Sequence, residues 1–135
     1  MRLTKAERQQ VHDKFGGLCA YCGGELPERW HVDHLEPVRR DLGFVGGRLV
    51  SSQTDCQHPD RHCPENLMPA CPPCNISKGP MDLEVWRGWL KKHVESLNLY
   101  QKTYRMAKAY GLIQETGAEV VFYFERQAAQ RGREE

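Results

Sequence analysis

The chain has 135 residues, 39% of them apolar and 27% charged, with a formal net charge of +1. This length and balance suit one domain with a core of its own and exclude a disordered chain. No apolar stretch approaches the roughly 20 residues of a membrane span, and the near-neutral charge confines any polyanion-binding surface to a local patch.

Thr4 and Glu7 have the spacing of a capping box, so the first predicted helix runs to about Phe15 and stops at Gly16. The opening MRLTKAERQQVHDKF holds no apolar signal region, and a reducing cytoplasmic location is expected. CAYCGG follows as a tight knuckle, and RWHVDHLEPV alternates like a strand until Pro37 stops it. Within that strand Asp33 and His34 are neighbours. Side chains next to each other in a regular strand point to opposite faces, so a shared task requires the strand to end or bend at this pair. Residues 40–64 form a long glycine-rich polar connector with at most a short strand near 48–51. NLMPA then leads into CPPCNISKG. From Asp82, apolar residues at Leu83, Trp86, Leu90, Val94 and Leu97 mark an amphipathic helix, whose stripe continues through Tyr100, Tyr104 and Tyr110 to Gly111. EVVFYF is the strongest predicted strand, and RQAAQRGREE reads as a charged tail.

The cysteines narrow the chemistry. Cys19 with Cys22, and Cys71 with Cys74, are pairs of identical Cys-x-x-Cys spacing. A two-residue gap lets both sulfurs of a knuckle reach one ion, and two knuckles complete a tetrahedral thiolate shell. A Zn²⁺ held there leaves no position for water and is structural. A redox dithiol at CPPC would leave the second pair unexplained. A further cluster, Cys56, His58, His62 and Cys63, offers four possible ligands, though its spacing matches no common zinc pattern, and a polar surface loop is the simpler reading.

Taken in order, Cys-x-x-Cys, Asp-His, Asn-Leu and Cys-x-x-Cys-Asn with a lysine three residues on resemble the HNH endonuclease family of zinc-bearing ββα-metal nucleases. The matching positions run from Cys19 to Lys78. The resemblance implies that His34 is the general base and Asp33 the neighbouring carboxylate that binds a catalytic metal. It implies that Asn66 braces the loop carrying the histidine. Asn75 stands where the family name expects a histidine, making this an H-N-N variant. Two oxygen donors, Asp33 and Asn75, point to Mg²⁺ or Mn²⁺ rather than a softer ion. Arg39, Arg40 and Lys78 are the expected phosphate contacts.

The expectation is therefore a single α+β domain over 1–135. Its core at 16–80 is a ββα-metal motif stapled by a Cys₄ zinc, preceded by an N-terminal helix. A helix-plus-strand extension spans 81–125 and a charged tail 126–135. The expected activity is divalent-metal-dependent cleavage of DNA, leaving 5′-phosphate and 3′-hydroxyl ends, by a monomer or weak homodimer with no membrane partner. The resemblance implies a bacterial cell or phage-infected host. A non-catalytic zinc module that binds nucleic acid or protein is the alternative; it gives Asp33, His34 and Asn75 no reason to occur together.

Overall fold

A computed structural model describes residues 2–134, the side chains of 52–55 and 134 excepted. The protein is mixed α+β with two small antiparallel sheets. Set beside the single domain expected from length, contacts sort the chain into two compact units, Met1–Leu83 with Phe122–Glu135, and Glu84–Val121.

The first unit opens with α1 (Lys5–Asp13), whose capping box closes as Thr4 Oγ1 accepts from the Glu7 amide at 3.1 Å while the Glu7 carboxylate takes the Thr4 amide. These two bonds satisfy amides that a helix start leaves without partners. Val11 on its inner face packs with Trp30 and Leu67, the centre of a small apolar core. Trp30 is held by the edge of His12 and by the Arg8 guanidinium 4.1 Å above its ring.

Strand β1 (His31–His34) pairs antiparallel with β4 (Leu67–Ala70) in the register His31 to Ala70 and His34 to Leu67. All four residues of β4 are buried. Helix α2 (Pro72–Lys78) follows β4 at once, with Pro72 at its first position, where a missing amide costs nothing. Between β1 and β4 the chain makes a hairpin of β2 (Arg40–Val45) and β3 (Arg48–Cys56). Gly46 and Gly47 both have positive φ, 58° and 78°, the two-residue turn whose twist matches paired strands. The connector expected to be largely structureless is thus mostly a β-ribbon.

A second correction concerns the C-terminus. EVVFYF forms no strand: residues 119–122 are irregular, and α6 (Tyr123–Glu134) takes in most of the expected charged tail. A continuous apolar run signals burial without deciding between strand and helix. Here the aromatic residues plug onto the first knuckle. Phe122 and Phe124 stand edge-on to Tyr21, and the Tyr123 and Phe124 amides donate to the carbonyls of Tyr21 and Ala20 at 2.9 and 2.8 Å. The knuckle thereby serves as the cap of α6.

The second unit holds α3 from Glu84 onward (Leu83–Lys91), α4 (His93–Tyr100) and α5 (Lys102–Ala109). The helical stripe expected from Asp82 to Gly111 is therefore three short helices, interrupted at Lys92 and Gln101. Glu115 ties its closing segment to Asn98, Tyr104 and Lys108. Among the described residues no helix is long and apolar enough to cross a membrane.

Candidate functional site

The two Cys-x-x-Cys knuckles meet. Sulfur atoms of Cys19, Cys22, Cys71 and Cys74 all lie within 4.8 Å of one another, and Cys22 and Cys71 are 3.8 Å apart. Four sulfurs about 2.3 Å from a tetrahedral ion stand about 3.8 Å from each other, so this cluster could hold a metal such as zinc. Amides reinforce it: Gly24 donates to Cys22 Sγ and Cys71 to Cys19 Sγ, each at 3.4 Å. The Cys19 thiol is pulled down to about 4, first by the thiol of Cys74 and with help from the backbone amides of Cys22, Cys71 and Tyr21, against burial. No other group of three or more His, Cys, Asp or Glu side chains converges in this way among the described residues, so Cys56, His58, His62 and Cys63 do not form a second cluster.

Tyr21, between the cysteines of the first knuckle, reaches across to β1. Its hydroxyl donates to Asp33 Oδ2, and burial, with the Asp33 charge second, raises its pKa so that it stays a donor. The same Asp33 oxygen receives Lys78 Nζ at 3.1 Å, and that ammonium also donates to the His34 carbonyl at 2.9 Å. Lys78 is fully buried. It is therefore no phosphate contact, contrary to expectation: it sits on the inner face of α2, one turn after Cys74, and neutralises Asp33 from below. Burial raises the Asp33 carboxyl above the usual carboxylate range, and Lys78 and Tyr21 pull it back.

β1 ends at His34, where the chain bends into a loop that Asn66 grips on both sides. Its Oδ1 accepts from the Glu36 amide at 2.8 Å while its Nδ2 donates to the Glu36 carbonyl at 2.9 Å. Arg61 adds a bond to the Pro37 carbonyl at 2.7 Å. The His34 ring is itself held: Nε2 lies 2.9 Å from His62 Nδ1. Burial first, and then the charges of His62, Arg40 and Lys78, lower the His34 pKa to about 4, so the ring is neutral at physiological pH.

Asp33, His34 and Asn75 line one cleft of about 750 Å³, with Arg39 and Arg40 at its side. Asn75 Nδ2 lies 2.7 Å from His31 Nδ1 and donates to it, which leaves the amide oxygen as the donor atom for a cation. Arg39 is less available than expected. Its guanidinium is bound to the Pro80 carbonyl and to Asp82 at 2.7 and 2.8 Å, and its backbone is left-handed, φ 59°.

Two neighbours of the candidate site carry no clear signal in the sequence. His62 had drawn notice only as one of a possible metal quartet, and its partner is 28 positions away. Tyr21 had no local signal beyond lying inside a knuckle. No family model matches the chain, nor does any curated protein or any solved structure.

Proposed function

We propose that this chain is a divalent-metal-dependent DNA endonuclease of the ββα-metal kind, with His34 as general base. What supports the reading is the convergence of Asp33, His34 and Asn75 on one cleft, together with the succession of β1, β4 and α2 that carries them. The Cys₄ cluster takes a structural zinc, since four thiolates leave no open position. It fastens the knuckle that bears Tyr21 to the start of the helix that bears Asn75 and Lys78.

Asp33 keeps Oδ1 as a donor once Oδ2 is engaged, and Asn75 offers its amide oxygen. This pair of hard donors suits Mg²⁺ or Mn²⁺. A bound ion of this type stabilises charge on the phosphate and on the departing oxygen. The remaining work falls to the chain. The base role requires the His34 proton on Nε2, shared with His62 Nδ1 2.9 Å away, so that a bare Nδ1 faces the attacking water. Asn66 fixes the loop beyond His34 and thereby the position of the ring. Arg40 adds positive charge beside the cleft, suited to the phosphate backbone that supplies most affinity for DNA. One site cuts one strand per engagement, so a monomer nicks.

A plasmid assay with Mg²⁺ or Mn²⁺ tests the reading. Supercoiled DNA should be converted to nicked circles by the parent, and His34→Ala should lose this at least about a hundredfold while retaining zinc and its melting temperature. Equal cutting by His34→Ala removes the general-base assignment. A zinc-replete parent that cuts nothing with either ion leaves the non-catalytic zinc module in its place.

A further inference from the structure

The ribbon β2–β3 exposes apolar side chains that a folded chain normally covers. Phe44 is 76% exposed, Val45 68%, Leu42 65% and Leu49 59%. Its register shows where they face. Leu42 stands opposite Ser51, and Phe44 opposite Leu49. Cross-strand partners share a face, and residues two apart along a strand share it too, so Leu42, Ser51, Phe44 and Leu49 form one continuous face. Its inner pair, Leu42 and Ser51, lines the same cleft as Asp33, His34 and Asn75. The Phe44–Leu49 pair is the next step outward, and the turn at Gly46–Gly47 lies about 13 Å beyond the cleft-lining pair. Residues 39–51 carry three arginines and one aspartate.

We propose that this ribbon is a DNA-reading finger that enters the major groove beside the scissile phosphate and sets Phe44 and Leu49 against base edges. The proposal rests on the nuclease reading for the position of the phosphate. A two-stranded ribbon fits the major groove, about 12 Å wide and 8.5 Å deep, whereas the minor groove is about half as wide. Apolar side chains there meet thymine methyl groups. Arg40 at the base of the ribbon and Arg48 beside the turn supply charge toward the backbones on either side. A protein partner has no such claim: the face is continuous with the arginine-flanked cleft that holds Asp33, His34 and Asn75.

The test measures duplex binding by fluorescence anisotropy in zinc-replete buffer without Mg²⁺ or Mn²⁺, so that nothing is cut. Phe44→Ala/Leu49→Ala should bind about tenfold more weakly than the parent, with an unchanged melting temperature. Bulky substituents at the 5-position of pyrimidines, which fill the major groove, should weaken the parent by a similar factor, and netropsin in the minor groove should not. Parental affinity in the double variant overturns the proposal, as does competition by netropsin alone. Concentration-dependent self-association that disappears in the double variant while DNA binding persists would assign the face to a second copy instead. Nicking separates the two readings. A parent that binds DNA through Phe44 and Leu49 yet cuts nothing keeps the finger and loses the nuclease. A parent that cuts while the double variant binds normally does the reverse.

Discussion

In the proposed mechanism His34 combines two demands that oppose each other. A base must be unprotonated at working pH, and burial with neighbouring positive charge achieves this by holding its pKa near 4. The same shift weakens its appetite for a proton. Since the ring is neutral above that value and charged below it, cutting should persist well below the ordinary imidazole range near 6.5 and fall away only as pH approaches 4. In His62→Ala the site is more open and the burial that holds the ring neutral is relieved, so the His34 pKa should rise toward 6.5 and the acid limb of the pH–rate profile should rise with it. NMR titration of the His34 ring and the pH dependence of nicking check both parts; an unmoved pKa would show that His62 does not set the environment of this ring. Lys78 makes a different demand. Its ammonium is fully buried against a nearly buried Asp33, and removing one partner of such a pair typically costs about 3–5 kcal/mol. Lys78→Met should therefore unfold at markedly lower denaturant. Adding Asp33→Asn should recover part of that loss, because no lone charge is left, without restoring cutting.

The elements differ in how plainly the amino acids announce them. Thr4 and Glu7 specify a helix start through contacts three residues apart, and His31–His34 alternates with the period of a strand; both interactions are local and both elements form, the helix ending at Asp13 and the strand at His34, short of the expected Phe15 and Pro37. The ribbon was within reach as well. Gly46–Gly47 between FV and RLV is the signature of a two-residue turn, but the polar, glycine-rich surroundings obscured it. EVVFYF is another matter, because its partners are distant. What decides its conformation is Tyr21 a hundred positions earlier, and no local periodicity carries that information. The knuckle and α6 meet closely at Gly23, where φ is 78° and an added Cβ would stand 2.9 Å from the Tyr123 ring. Gly23→Ala therefore meets both backbone strain and a clash, and should cost about 1–3 kcal/mol by chemical denaturation. A neutral result would mean that α6 does not dock here in solution.

At the scale of the molecule, the four cysteines tie the knuckle at 19–22 to the start of α2, and a metal held there would lock together two segments some fifty positions apart in the chain. Metal binding and folding should accordingly be coupled. About one zinc per chain is expected, and chelation or Cys71→Ser should broaden and lower the thermal transition followed by tryptophan fluorescence; an equally stable zinc-free chain would contradict this. The candidate site shares the same dependence on long-range assembly. Residue order alone pointed to Asp33, His34, Asn66 and Asn75, whereas Lys78 was misjudged because its fate is decided by where α2 lies against β1. The decisive measurement is the position of the proposed catalytic cation, obtained from anomalous scattering by Mn²⁺ in crystals of His34→Ala bound to an uncut duplex. The expected map has one manganese peak touching the Asp33 carboxylate and the Asn75 amide oxygen, next to a backbone phosphate, with zinc at the four cysteines. A map with zinc in place and manganese elsewhere, or nowhere, would contradict the mechanism.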